Sequence, residues 1–283
     1  MVLTPIKENG YAMPAGVDID ALIADMLTHV GCPDNILRDG LIYSIFGEWT
    51  DKKLLSPAQM KFMLTTSLGE NHLFYKIGEN GSDSVFTRSF SALVIALALG
   101  YQERHESFLT VKEITEIKNT VFRYVGLERD FRGYVAGKGW AHAAAHIADV
   151  LACIAGLEFA VDVAEGYNIG REALLEVLDA VKGLICNPYC VYTAEEDERL
   201  VAVVNMAISH EILTEDELKA WIKNFCPTNK AWYDGTVPDD FYIHVNRKYF
   251  MRSLYFNFME CDEDEFDTVR VKEMSGFLLD LLK

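Results

Sequence analysis

The sequence has few basic residues and no long apolar run. Lysine and arginine total 26 against 43 aspartate and glutamate residues, which gives a formal net charge of −17 over 283 residues. Such an excess of negative charge opposes binding to nucleic acid or to an anionic membrane. The longest uninterrupted apolar run, Ala92 to Leu99, is much shorter than the ~20 residues that span a bilayer. We therefore expect neither a nucleic-acid partner nor a membrane partner.

Cysteine is also scarce, and its spacing is irregular. The six cysteines are Cys32, Cys153, Cys186, Cys190, Cys226 and Cys261. Only Cys186 and Cys190 lie close together, as loop thiols, and no second pair stands at zinc-finger spacing. Scattered thiols in a long chain are typical of a reducing compartment. Because Met1 to Asp20 also lacks a basic-then-apolar signal pattern, the expected location is the cytoplasm.

The common nucleotide and hydrolase motifs are missing as well. The chain contains no G-x-x-x-x-G-K-[ST], no G-x-G-x-x-G and no G-x-S-x-G sequence. These absences remove the usual sequence support for phosphate binding by a glycine-rich loop and for α/β-hydrolase chemistry.

What the chain does contain is helical periodicity. Apolar residues recur at i, i+3, i+4 and i+7 in Thr214–Phe225, behind a threonine that is suited to cap a helix. Thr110–Val125 shows the same stripe behind Thr110, and Ser56 precedes a proline at the first helical position. No run alternates like a half-buried strand, so the sequence predicts an all-α fold.

These helices repeat in pairs. The predicted first helices cover residues 34–48, 84–99, 138–155, 195–209 and 245–259, and the second helices begin near Ser56, Thr110, Gly170, Thr214 and Asp267. A period of about 50 residues is in the range of helix-pair solenoids. We predict one domain, 1–283, folded as a HEAT-like α–α superhelix of about five repeats. A capping helix is expected over Asp18–Val30, after a loose leader over 1–17.

Aligning the first helices by their apolar residues brings five cations into register. They are Arg38, Arg88, His142, Arg199 and Arg252. One interpretation is an internal ladder, in which each cation bonds to an acid or a carbonyl of its neighbour. The other is a groove that binds an anionic group or an acidic peptide through bidentate contacts.

A histidine-rich segment offers a second candidate site. In the predicted helix over 138–155, His142, His146 and Asp149 stand at i, i+4 and i+7 and would share one face. Two imidazoles and a carboxylate at this spacing could hold a metal ion. The same side chains could instead hold a general base beside a water, or they could form a structural or ligand-contacting polar seam. The chain lacks H-E-x-x-H, which favours the seam.

Four segments carry a resemblance to a known family. R-G-Y-V-A-G-K-G-W-A-H-A-A-A-H-I-A-D, from Arg132 to Asp149, resembles the signature of a bacterial family known only as a domain of unknown function. V-F-T-R-S-F-S from Val85, E-E-D-E-R-L from Glu195 and R-S-L-Y-F from Arg252 are similar to further segments of that family. The resemblance implies a helical cytoplasmic protein and carries over no activity.

We therefore predict a binding or scaffold protein whose partner is a protein or a small anionic ligand, with a homodimer as a further option and no cofactor. The candidate ligand-binding residues are Arg88, Arg132, Trp140, His142, His146, Asp149, Arg199 and Arg252. The alternative is a metal-dependent hydrolase. In that version the helix pairs close into an α/α toroid, and His142, His146 and Asp149 hold a zinc-bound water.

Overall fold

The computed structural model describes residues 2–105, 107–157, 170–209, 211–225, 238–260 and 268–282. Most of these residues are helical, and the only sheet among them has two short strands. This confirms the all-α class. The chain divides into two compact units, Met1–Val161 (unit 1) and Asp162–Lys283 (unit 2). The single domain over 1–283 stays a prediction.

Unit 1 contains the helices α1 to α8 and the sheet. The helices are α1 (Leu3–Glu8), α2 (Ile19–Thr28), α3 (Asn35–Leu37), α4 (Ser44–Asp51), α5 (Pro57–Ser67), α6 (Ser84–Arg104), α7 (Val111–Leu127) and α8 (Ala143–Leu157). A π-helical segment, Arg38–Tyr43, connects α3 to α4. Strands β1 (Tyr134–Val135) and β2 (Gly139–Trp140) form an antiparallel hairpin before α8.

Unit 2 contains the remaining helices. They are α9 (Gly170–Ile185), α10 (Glu196–Ser209), α11 (Glu215–Phe225), α12 (Pro238–Glu260) and α13 (Thr268–Leu282). The helix start predicted near Thr214 is confirmed, and α9 is described from Gly170, the first residue after a range outside the described residues. The start predicted at Asp267, like Cys226 and Cys261, falls outside the described residues, and α13 is described from Thr268.

Capping boxes start three of the predicted second helices. The hydroxyls of Ser56, Thr110 and Thr214 accept the backbone N–H three residues later. In return the side chain of that third residue, glutamine after Ser56 and glutamate after the threonines, accepts the backbone N–H of the cap. Because this motif satisfies two otherwise unpaired donors locally, the sequence alone fixes these helix starts.

Helix α6 is the centre of unit 1. It is long and apolar enough to cross a membrane, but 83% of its most apolar window is buried inside the protein. Helix α6 is therefore a core helix of unit 1. A Cβ built on Gly31 would lie 2.4 Å from the Cα of Thr87 in α6. Only glycine therefore permits the approach of the chain after α2 to this helix.

Predicted first helices run parallel within each unit. His146 in α8 contacts the carbonyl oxygen of Ser89 in α6, and Cys153 donates to that of Ala96, with both pairs 57 positions apart. In unit 2, Asn246 of α12 donates to the carbonyl oxygen of Cys190, just before α10, and Ser253 donates to Asp197 of α10, with both pairs 56 positions apart. A constant separation along two helices means that they point the same way, as neighbouring repeats require.

The N-terminal segment differs from the loose leader expected over 1–17. Residues 3–8 form α1, in which Leu3 and Ile6 are buried. The indole N–H of Trp49 donates to the carbonyl oxygen of Tyr11 at 2.9 Å. The ammonium group of Lys7 donates to the carbonyl oxygen of Gly40 at 2.8 Å. These apolar and polar contacts order a segment that has no strong helix signal of its own.

The helix predicted over 138–155 begins too early. Residues 139–140 are the strand β2, and α8 begins at Ala143. Gly139 has φ +82° and His142 has φ +49°, both in the left-handed region that a right-handed helix excludes. The prediction followed the apolar spacing and gave too little weight to the two glycines that flank Lys138.

Candidate functional site

The hairpin of unit 1 presents two exposed aromatic side chains. Tyr134 pairs with Trp140 across the two strands, and Gly137 in the connecting turn has φ +75°. The rings of Tyr134 and Trp140 meet edge to face, with centroids 5.1 Å apart. They are 62% and 43% exposed. Large aromatic residues held in one geometry at the surface are typical of contact sites.

Arg38 is hydrogen-bonded to this hairpin from the interior of unit 1. Its Nη2 donates to the carbonyl oxygens of Lys138 at 2.7 Å and Trp140 at 3.4 Å, and its Nη1 donates to that of Cys32 at 2.8 Å. The side chain of Arg38 is 0% exposed, and it forms an ion pair with Asp39 at 2.9 Å. Burial lowers the pKa of Arg38, and Asp39 opposes that change.

Two phenylalanine rings complete the setting of Arg38. Its guanidinium carbon lies 4.3 Å from the ring centroid of Phe86 and 4.5 Å from that of Phe90, both on α6. Cation–π contacts in a desolvated site are among the stronger ones, at about 2 kcal/mol. The π-helical segment, α6 and the hairpin are thus joined through one buried cation.

Arg88 and Glu128 form a second buried ionic group beneath the site. Nε and Nη2 of Arg88 donate to the two carboxylate oxygens at 2.6 and 2.8 Å, and both side chains are 0% exposed. Tyr124 donates its hydroxyl to the same carboxylate at 2.8 Å. Burial opposes the charge of Arg88, and the hydrogen bonds and charge of Glu128 outweigh it, so that the pKa of Arg88 is raised.

The same group shapes the loop over residues 75–84. Arg88 donates to the carbonyl oxygens of Tyr75, Lys76 and Glu79. Asp130, also buried, accepts the backbone N–H of Gly81 at 2.9 Å. The family-like segments around Arg88 and after Arg132 are therefore bonded through one network of internal polar contacts.

Two cations stand at the rim of the hairpin. Arg132 pairs with Asp130 at 2.6 Å and donates to the carbonyl oxygen of Ser82 at 2.7 Å. Lys138 pairs with Asp83 at 2.7 Å, and both of those side chains are about two-fifths exposed, at 41% and 44%. Part of each cation therefore faces solvent beside the aromatic pair.

His142 and His146 belong to this neighbourhood but not to one helical face. His142 precedes α8 and stacks on Trp140, with ring centroids 4.3 Å apart and planes at 27°. His146 is buried and perpendicular to His142, at 5.8 Å between centroids. Among the described residues no group of three or more histidine, cysteine, aspartate or glutamate side chains is placed to hold a metal ion. The positions of His142, His146 and Asp149 therefore do not favour the metal alternative.

The five aligned cations separate into different environments. Arg38 and Arg88 are buried and internally paired, as the internal interpretation expects, so Arg88 is not open to a ligand. Arg199 and Arg252 are exposed on α10 and α12 of unit 2. The predicted alignment is also shifted by about one helical turn, because His146, not His142, stands level with Ser89.

Sequence reasoning missed several members of this site. Glu128, Asp130 and Tyr134 were not among the predicted site residues, and Lys138 was placed inside a helix. The signal for the hairpin is the Gly-Lys-Gly turn between Val135 and Trp140, since glycine readily takes the left-handed conformation. No local signal identifies Glu128 as the partner of Arg88, because the two residues are 40 positions apart.

A comparison with protein families places the chain in a group. The family described as protein of unknown function (DUF2785) matches residues 73–256. This is more than half of the chain, and the chain therefore belongs to that family. The matched range includes α6, the hairpin and the Arg88–Glu128 pair, whereas Arg38 lies before it. Comparison with curated proteins and with solved structures gives no match.

Proposed function

We propose that this protein is a binding protein and that the hairpin of unit 1 contacts an acidic peptide segment of a partner. The observation that carries the proposal is the set of hydrogen bonds that Arg38 donates to the hairpin. A fully buried cation donates to two carbonyl oxygens of a hairpin whose aromatic side chains face solvent. Burying a charge costs free energy, and here it fixes a surface feature in one geometry.

The residue types at the surface support this interpretation. Tryptophan, tyrosine and arginine are the residues most often found at the centres of protein interfaces. Tyr134 and Trp140 supply rigid apolar area at little cost in conformational entropy. Because Arg38 fixes the hairpin before binding, less ordering is needed when a partner arrives.

The preference for an acidic partner rests on the two cations at the rim of the hairpin. Arg132 and Lys138 are partly exposed N–H donors beside the aromatic pair. A carboxylate of the partner can bond to Lys138 in place of Asp83, whose side chain is itself 44% exposed. The aromatic rings then take the apolar side chains that flank the acidic residue.

The architecture proposed for this function is the helix-pair array of about five repeats, in a cytoplasmic protein. Parallel stacking of α6 on α8 and of α10 on α12 supports the repeats. In such arrays, surface segments between helices are frequent binding sites. The hairpin over 134–140 is such a segment.

A display selection tests the proposal. The full chain is immobilised and selected against a random peptide library, in parallel with the Tyr134→Ser/Trp140→Ser double variant. Phe62→Ser serves as the matched control, because Phe62 on α5 is 44% exposed. We expect the unchanged chain and the control to enrich the same peptides, rich in aspartate and glutamate, and the double variant to lose them.

The affinities of the selected peptides provide the quantitative check. Replacing their acidic residues by the corresponding amides should weaken binding by about tenfold or more, and added salt should weaken it further. Enrichment of the same peptides by the double variant would show that the hairpin is not the contact surface. Enrichment of basic or wholly apolar peptides would contradict the acidic preference.

A further inference from the structure

Two thiols of unit 2 lie at the end of α9. Cys186 follows the last helical residue, and its backbone N–H still donates to the carbonyl oxygen of Lys182 at 2.9 Å. Asn187 then turns the chain, because its side-chain oxygen accepts the backbone N–H groups of Tyr189 at 3.0 Å and Cys190 at 3.2 Å. Both cysteines are partly exposed and reduced. The turn keeps Cys190 close to the helix end that carries Cys186.

An arginine from α12 faces the first of these thiols. Nη2 of Arg247 donates to Sγ of Cys186 at 3.5 Å. Nε of Arg247 is buried, with no hydrogen-bond partner in the described part of the chain. The charge of Arg247 also acts on a nearby histidine. The pKa of His244 is lowered mainly by burial, and the positive charges of Lys248 and Arg247 lower it further.

This surrounding is that of a reactive cysteine. Reactive cysteines are partly exposed and lie beside a basic side chain, and Cys186 meets both conditions. Cysteines that sense oxidants combine such a sulfur with a second thiol that can resolve the first oxidation product. Cys153 provides the contrast, because burial raises the pKa of its thiol to about 12.

We propose that Cys186 is a peroxide-reactive thiol and that Cys190 is its resolving thiol. The thiolate of Cys186 attacks one oxygen of a hydroperoxide and breaks the O–O bond. Sulfur is oxidised to sulfenic acid, and the peroxide is reduced and leaves as water or an alcohol once it takes up a proton. The thiol of Cys190 then attacks that sulfur, the S–S bond forms, and the sulfenic oxygen leaves as water.

The disulfide would form across a turn that is already hydrogen-bonded to α12. Asn246 donates to the carbonyl oxygen of Cys190 at 2.9 Å and accepts the backbone N–H of Tyr192 at 2.9 Å. Oxidation therefore acts on the connector between α9 and α10, at the point where α12 contacts it. This gives unit 2 a reversible chemical change.

The test treats the full chain with hydrogen peroxide and measures the loss of each thiol by alkylation and mass spectrometry. Cys32 is the internal reference, because it is also partly exposed but receives an arginine hydrogen bond at its carbonyl oxygen, not at sulfur. We expect Cys186 to react about tenfold faster than Cys32, with a disulfide between residues 186 and 190 as the product. In Cys190→Ser, dimedone should trap a sulfenic acid at Cys186.

Substitution of the arginine completes the test. Arg247→Met should slow Cys186 to about the rate of Cys32, whereas Arg252→Met, an exposed arginine of the same helix, should not change it. Cys186 reacting no faster than Cys32 in the unchanged chain would overturn the proposal without any variant. An unchanged rate in folded Arg247→Met, or a disulfide that excludes Cys190, would overturn it as well.

Discussion

Arg88 of α6 donates two hydrogen bonds, of 2.6 and 2.8 Å, to the carboxylate of Glu128 in the interior of unit 1. The pair lies where neither residue can be hydrated, since both side chains are 0% exposed. Removing one partner from such a pair leaves the other charge buried without compensation. Arg88 is therefore an internal structural residue, not a ligand-binding one.

The first prediction concerns this ion pair. Arg88→Met should lower the free energy of unfolding by about 3–5 kcal/mol, because Glu128 then remains buried without a cation. Denaturant unfolding measures the change. Arg252→Met is the control, and we expect a change within about 0.5 kcal/mol because this arginine is exposed. Equal stabilities of the two variants would contradict the internal role of Arg88.

The second prediction compares two glycines of the hairpin. Gly137 and Gly139 both have positive φ, at +75° and +82°. A Cβ on Gly139 would lie 2.9 Å from Cβ of Asn35 and 3.1 Å from Nη2 of Arg38, whereas one on Gly137 meets nothing within 4 Å. Alanine should cost about 1–2 kcal/mol of backbone strain at either position.

Gly139→Ala should therefore cost about 1–3 kcal/mol more than Gly137→Ala, because only the former displaces Asn35 or Arg38. Thermal and denaturant unfolding of the two variants give the difference. If the variants are equally stable, Arg38 does not hold the hairpin in the geometry described.

Much of the helical framework follows from local signals, and most of the site does not. Capping boxes at Ser56, Thr110 and Thr214 lie within four residues each, so the sequence shows them directly. Apolar periodicity repeats every turn, so it identifies a helix without fixing its register against a neighbour. For that reason the alignment of Arg88 with His142 was wrong by about one turn.

The bonds that assemble the site span longer separations. Arg38 reaches the carbonyl oxygen of Lys138 across 100 positions, and nothing near either residue specifies the other. Such contacts depend on how helices pack, which one sequence does not reveal. The family-like segments nevertheless fall in this part of unit 1, because Arg88 and Arg132 both belong to the network around Asp130.

The third prediction concerns the approach of Gly31 to α6. Gly31→Ala should lower the free energy of unfolding by about 1–3 kcal/mol, because the new Cβ would lie 2.4 Å from the backbone of Thr87. Gly47→Ala in α4 is the matched variant, since a Cβ there meets nothing within 4 Å. It should raise stability by about 0.5–1 kcal/mol, because alanine favours the helix. Changes of the same sign in both variants would contradict this packing.

The fourth prediction concerns acid sensitivity. A hydrogen bond from Lys61, followed by one from the backbone of Thr110, lowers the pKa of Glu113 from 4.5 to about 2. The folded-state pKa is depressed, so the stabilising contribution is complete above about pH 4.5 and is lost as the pH falls toward about 2. An NMR titration of the Glu113 carboxyl group measures this pKa directly.

Two lysine variants test whether the hydrogen bond from Lys61 lowers the pKa of Glu113. Lys61→Met should raise the pKa of Glu113 toward 4.5, because it removes the largest of the hydrogen-bond contributions. Lys112→Met is the control, since Lys112 pairs with Glu116 at 3.8 Å instead. A pKa of Glu113 that is unchanged in Lys61→Met would show that the capping box alone is responsible.

The π-helical segment Arg38–Tyr43, which precedes the residues that match the family, has a consequence for insertions and deletions in this chain. A π turn accommodates one more residue than the surrounding α-helix, so losing one residue there would restore a regular helix without breaking it. The shortened helix would turn its N-terminal part by about 100° relative to α4. Arg38 would then leave Phe86 and Phe90, and the hairpin would lose its anchor. Length variation inside 38–43 is thus a way for a relative to keep the helices and discard the aromatic surface.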